Sequence, residues 1–217
     1  MSYEYADDLG EFIRRVASSF DVDNNDFFSA MKTFEKAHWD YIDNYNKYDS
    51  RRFPYMRNVQ LLERILQYQN KNLHNAREYI RQYERYKKSL PTAGCILLYS
   101  DRMAVVKIKC GEVYSMPKGK QDNGETIMQT AIRETREETG LDLEDTICES
   151  TPFQIIHKTR FYIVELDSEV RFRDYNRNEI SEVVWVPLDK IVRNPGYYSR
   201  QTVACAEFIS LKMMHPA

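Results

Sequence analysis

The order of patterns along this 217-residue chain predicts an α+β protein of two domains. An all-helical domain is expected over residues 1–90 and a mixed α/β domain ending in a helix over residues 91–217. Apolar residues recur at helical spacing as far as about Leu90. Beyond Pro91 the pattern changes to short, alternating apolar runs. Among those runs lies a carboxylate-rich amphipathic segment from Gly119 to Leu141.

In the first half, Leu9, Phe12, Ile13, Val16 and Phe20 mark one amphipathic helix. A longer helix runs from about Asp26 through Tyr45, with Phe28, Met31, Phe34, Ala37, Trp39, Tyr41 and Ile42 as its apolar content. The stretch from Arg51 to Pro54 breaks it. Val59, Leu61, Leu62, Ile65 and Leu66 mark a third helix, and Leu73 to Tyr86 a fourth. In the second half, Gly94 to Tyr99 and Met103 to Lys109 read as a β-hairpin turning at Ser100 and Asp101. Further strands are expected at Ile147 to Ile156, Arg160 to Leu166 and Val183 to Val186, and a last helix from about Gln201 to Met213.

The composition is globular, with a net charge of −2 and abundant tyrosine and phenylalanine for core building. No apolar run approaches membrane-spanning length, and the acidic start does not read as a signal peptide. Cys95, Cys110, Cys148 and Cys205 are scattered without zinc-site spacing, so buried free thiols in a reducing compartment are expected. Charge is unevenly distributed. The chain is acidic up to Ser50, then strongly basic from Arg51 to Lys88. Arg77, Arg81 and Arg85 recur every fourth residue as a cationic stripe that suits a polyanion or an acidic protein surface, or is simply a solvated face partly neutralised by Glu78 and Glu84.

Within the carboxylate-rich segment, Glu134, Glu137 and Glu138 share one helix face. Their repulsion weakens the helix by roughly a few tenths of a kcal/mol per pair. A hard divalent cation with oxygen ligands is the natural compensation. Ile127, Met128, Ala131, Ile132 and Thr135 offer the opposite face to a sheet, and Gly140 supplies the C-cap.

The spacing is restrictive. Gly119, Glu125 after five intervening residues, Arg133-Glu134 after seven more, Glu137-Glu138, Gly140 and Leu141 together resemble the Nudix box. Thr135 departs from it where an apolar residue is usual. The resemblance implies an α/β/α sandwich with a mixed sheet. It also implies hydrolysis of a nucleoside diphosphate linkage, with Mg or Mn held by Glu134, Glu137 and Glu138. Four stretches outside the box, Phe34 to Tyr45, Tyr83 to Gly94, Met116 to Lys120 and Arg177 to Trp185, resemble the mRNA-decapping branch of that family in order and spacing.

That resemblance implies roles position by position. Glu125 and Arg133 orient the metal-binding carboxylates through a salt bridge. The carbonyl near Lys118 and Gly119 completes the coordination, and Lys118 and Lys120 pair with phosphates. Glu179 is the implied general base, and Glu138 and Lys118 are counted with it as catalytic. Trp39 and Asp43 are the implied cap-binding pair, by stacking on a cationic 7-methylguanine and accepting hydrogen bonds from the base edge. His38 is read as structural. Arg77, Arg81, Arg85 and Arg177 are expected to meet RNA, with Arg171 and Arg173 beside them. The last helix lacks the basic residues and the cap-closing aromatic of the branch: Val203 stands at that place, with Tyr197 or Tyr198 as substitutes. Capped RNA and a small activator subunit docking around Tyr3 to Phe12 are the implied partners. A cytoplasmic location, in P-bodies, is implied with them. A Nudix hydrolase of free dinucleotides, and a cap- or RNA-binding module without catalysis, stand as alternative functions.

Overall fold

The computed structural model describes residues 5–23, 26–109, 111–177 and 179–214. Tyr3 and Cys110 lie outside the described residues. The chain divides into two compact units, Met1–Ser89 and Leu90–Ala217.

The first unit is built from α1 (Leu9–Ser19), α2 (Phe27–Asp40), α3 (Asn58–Tyr68) and α4 (Asn75–Ser89). Asp8 caps α1 by accepting the Glu11 N–H at 2.8 Å, and Asp26 caps α2 through Ser29 at 3.0 Å. Phe12, Phe20, Met31, Phe34, Leu61, Leu62, Ile65 and Leu66 form its core. The second helix does not continue as expected to Tyr45. At Tyr41 it widens into a π-helical turn, Tyr41–Asn46. Two bonds hold that turn onto the following chain: Tyr41 Oη donates to the Pro54 carbonyl at 2.6 Å and Asn46 Nδ2 to that of Phe53 at 2.9 Å.

The second unit holds a six-stranded sheet of β1 (Thr92–Tyr99), β2 (Arg102–Ile108), β3 (Lys118–Lys120), β4 (Phe153–Ile156), β5 (Thr159–Glu165) and β6 (Ile180–Pro187). The order is β4-β5-β1-β2-β6, with β1 and β5 parallel and the other neighbours antiparallel. The last residues of β1 pair with β2, while its first three pair with β3. Alternate residues of β1 serve two cores. Ala93, Cys95 and Leu97 pack under α5 (Ile127–Thr139), with Ala131 among their neighbours. Ile96 and Leu98 pack under α6 (Leu188–Arg193) and α7 (Arg200–Met214), against Ile191, Cys205 and Ile209. This is the expected α/β/α sandwich with a mixed sheet and a C-terminal helix.

Several local expectations are corrected. Only Phe153–Ile156 of the run from Ile147 forms a strand, because Leu143 and Cys148 carbonyls turn the chain back through Ile147 and Thr151. Cys95 and Cys205 are buried, with thiols pushed up to about 12 by burial, but Cys148 is exposed. Tyr198 is only 8% exposed and rests against Tyr114, so of the two candidate cap-closing tyrosines only Tyr197 is on the surface, at 68%. Val203 is half-buried against the α7 core. Among the described residues no helix is long and apolar enough to cross a membrane.

Candidate active site

Helix α5 begins with a reciprocal cap. Thr126 Oγ1 accepts the Gln129 N–H, and Gln129 returns its side-chain oxygen to the Thr126 N–H at 2.8 Å. It ends at Gly140, whose φ of +75° lies in the left-handed region. Between these caps, buried Ala131 and Thr135 lie against the sheet, and the carboxylates turn toward β3.

Arg133 is the hub. Its Nε donates to Glu125 Oε1 at 2.6 Å, one terminal nitrogen reaches Glu134 at 2.8 Å and Glu137 at 3.2 Å, and the other reaches Glu125 Oε2 at 3.2 Å and the Lys120 carbonyl at 2.9 Å. All five donors of the guanidinium fork are thereby used. Much of the carboxylate repulsion foreseen in the sequence is therefore relieved from within the helix itself. Glu125 is held from its other side by the Asp122 N–H and the Thr130 hydroxyl, both at 3.0 Å. Arg133 and these donors depress the Glu125 carboxyl to about 2. Burial alone would lower the Arg133 pKa, but Glu125 and Glu134 more than reverse that.

The three box glutamates are not equivalent. Glu137 is half-exposed. Glu134 is largely enclosed and burial pushes its carboxyl up; Arg133 opposes this, while Glu137 and Glu179 add to it. Glu138 shares the helix face of the other two, yet it is buried, with Oε2 accepting the Lys118 N–H at 3.0 Å. Burial, with Glu134 and Glu179 nearby, pushes its carboxyl up to about 8 against the pull of that N–H. Gly119 lets the Glu134 carboxylate lie close over the backbone: a Cβ there would stand 2.1 Å from its carboxyl carbon and push the side chain aside.

Glu125, Lys118, Lys120, Arg133, Glu134, Glu137 and Glu138 are thus brought together, and Glu179 lies within electrostatic reach of Glu134 and Glu138. Among the described residues no group of three or more His, Cys, Asp or Glu side chains stands ready-gathered around a metal position. The carboxylates have other partners: Glu134 is bonded to Arg133 and Glu138 to the Lys118 N–H. The donor set still fits a hard cation. It is all oxygen, it carries more negative charge than Arg133 can neutralise, and Glu138 is buried with only the Lys118 charge near it to offset its own. Asp122 and Thr130 were missed in the sequence. Thr130 is detectable as a hydroxyl one turn before Arg133 on a helix otherwise packed by apolar residues.

The remaining candidates lie elsewhere. In the helical unit, Trp39 is 64% exposed and lines a cavity of about 400 Å³ with Phe34, Glu35, His38, Tyr83 and Lys87. Asp43 is exposed on the π-helical turn, so it and Trp39 do not share the simple four-residue spacing of an α-helix. His38 Nε2 lies 2.9 Å from the Met56 carbonyl, a bond that suits the structural reading of this residue. Glu35 joins α2 to α4 through Lys87 at 2.6 Å and Tyr83 at 3.1 Å. Arg77, Arg81 and Arg85 are all exposed on α4, but Arg85 is paired with Glu78 at 2.9 Å. Arg177 lies over the Tyr175 ring, and Arg171 and Arg173 are exposed nearby in sequence.

Comparison with known proteins places a match to the NUDIX domain over residues 88–204. The m7GpppN-mRNA hydrolase dcap-2 of Caenorhabditis elegans is 30% identical over 208 residues, covering 85% of this chain and 26% of that protein. The mRNA-decapping enzyme subunit 2 of Arabidopsis thaliana is 28% identical over 208 residues, covering 88% of this chain and 52% of that protein. The mRNA decapping complex subunit 2 of Schizosaccharomyces pombe is 34% identical over 111 residues, covering 46% of this chain and 15% of that protein. The chain therefore spans about half or less of the length of these relatives.

Proposed function

The chain belongs to the Nudix family of hydrolases, and from that premise we propose that it hydrolyses the 5′ cap of RNA. Water is consumed across one phosphoanhydride bond of the cap triphosphate, releasing 7-methyl-GDP and RNA with a 5′-monophosphate. The observation that carries this reading is the extent of the likeness to decapping enzymes. It covers 85–88% of the chain, well into the helical unit, whereas the Nudix match begins only at residue 88. The exposed Trp39 indole offers a stacking face for a cationic base, and Asp43 an acceptor for its edge.

Nudix hydrolases generally use divalent metals. Glu134, Glu137 and Glu138, with the carbonyl near Lys118 and Gly119, are the groups we assign to a Mg or Mn ion. When bound, that ion neutralises charge on the phosphate oxygens. Arg133 and Glu125 hold the carboxylates in place; Lys118 and Lys120 attract the phosphate chain. Glu179, exposed and carried on a loop, takes the proton of the attacking water. Arg77, Arg81, Arg85 and Arg177 serve the RNA body. Residence in the cytoplasm, in P-bodies, and an activator subunit on the helical unit belong to the same proposal.

Cap-labelled RNA incubated with the protein and Mg should yield labelled 7-methyl-GDP. Release of 7-methyl-GMP, or faster turnover of ADP-ribose or diadenosine polyphosphates in a parallel assay, would overturn it. Binding of capped RNA without metal-dependent turnover would instead indicate a binding module.

A further inference from the structure

Gly140 ends α5 at a φ of +75°, and asparagine also reaches that region at modest cost. Capping alone therefore does not demand glycine. Space does: a Cβ built at Gly140 would stand 1.6 Å from the Arg173 carbonyl oxygen and 2.8 Å from its carbon. No side chain fits there while the backbone of residue 173 stays in place. Three residues further on, the Asn176 N–H donates to the Glu137 carbonyl at 2.7 Å. That carbonyl belongs to the last turn of α5, where the helix offers it no partner of its own. The end of the helix and the 173–177 segment thus complete each other.

The contact leads directly to Glu179. The Asn176 carbonyl accepts the N–H groups of both Glu179, at 3.1 Å, and Ile180, at 2.9 Å, and the Glu179 carbonyl accepts the Lys109 N–H at 2.8 Å. Upstream, the indole of Trp185 donates to the Val170 carbonyl at 2.9 Å and its ring packs on Phe172, with centroids 5.1 Å apart. The segment is therefore pinned on both sides of its contact with α5.

We infer that the C-terminal turn of α5 is a dock that sets the position of the loop carrying Glu179, with Gly140 and Asn176 as positioning residues. One rigid element then references both the metal-binding carboxylates and the base to a single frame. The inference rests on the reading of Glu179 as the base.

Gly140→Asn tests it, because it keeps access to the left-handed backbone but adds the offending Cβ. In the metal-free protein, amide hydrogen exchange should accelerate roughly tenfold or more at Asn176, Glu179 and Ile180, with the amides of α5 up to Arg136 unchanged. The kcat for cap hydrolysis should fall roughly tenfold to a hundredfold, with KM little moved. Combined with Glu179→Gln, the variant should be no slower than Glu179→Gln alone. Unchanged exchange at those three amides, unchanged kcat, or losses that multiply in the double variant would overturn the dock. If Glu179→Gln by itself leaves turnover intact, the base assignment fails, and the exchange measurement still decides whether the loop is docked. Should Gly140→Asn fail to fold, a backbone ester at Asn176 removes only that N–H, and the same outcomes apply.

Discussion

Arg133 Nε lies 2.6 Å from Glu125 Oε1, and the rest of the same guanidinium is divided among Glu134, Glu137 and the Lys120 carbonyl. A lysine ammonium carries the charge but not the planar fork. Arg133→Lys should therefore cost about 1–3 kcal/mol of stability and about 10- to 100-fold in metal affinity. Thermal unfolding with and without metal, and a metal titration, measure both. A variant indistinguishable from the parent would remove Arg133 from its central place.

Glu125 dictates an acid limit. Its carboxyl is depressed from 4.5 to about 2, so the folded state binds its proton later than the unfolded chain does. The stabilisation is whole above about pH 4.5 and disappears as pH falls toward 2. Glu125→Gln should flatten the stability–pH curve across that window while lowering it at neutral pH. Chemical denaturation at a series of acid pH values tests this.

Glu138 has the opposite sign. Raised to about 8, it keeps its proton in the folded, metal-free protein after the unfolded chain has lost its own. Metal-free stability should fall as pH rises from about 4.5 to 8. Glu138→Gln should remove that slope and raise the melting temperature near pH 8, yet abolish cap hydrolysis. Metal binding near pH 7 should release a proton, seen as heats that depend on the buffer's own ionisation enthalpy.

Gly119 meets the Glu134 carboxylate so closely that a methyl group cannot be added without displacing it. Gly119→Ala should weaken metal binding by roughly tenfold or more, with circular dichroism unchanged. Retained affinity would show that Glu134 has room to move.

Trp39 is exposed, so Trp39→Ala should change the unfolding free energy by no more than about 0.5 kcal/mol. Catalytic efficiency on capped RNA should drop about 3- to 30-fold, the worth of a cation–π contact. Equal rates for the two proteins would dissociate the indole from the cap.

The strongly periodic elements were legible because their apolar spacing reports burial directly. The Leu61, Leu62 and Ile65 cluster and the Cys95, Leu97 alternation both fall in the cores where their patterns put them. The π-helical turn at Tyr41 was not legible. It is selected by tertiary bonds from Tyr41 and Asn46 to Pro54 and Phe53 rather than by local propensity. Strand β3, Lys118–Lys120, has no apolar pattern at all and exists because the start of β1 has an open edge there. The box spacing located the three glutamates that pair with Arg133, but could not foretell that Glu138 is enclosed while Glu137 stays wet. Both glutamates satisfy the same spacing; only the approach of the Lys118 backbone separates them.

Because successive residues of β1 belong to opposite cores, the strand has a reading frame. Inserting or deleting one residue between Ala93 and Leu98 would exchange the two sets, pushing Ile96 toward α5 and Cys95 toward α7. Length variation can accumulate in the turns, but within β1 it is forbidden, and engineered fusions or tags belong at a turn.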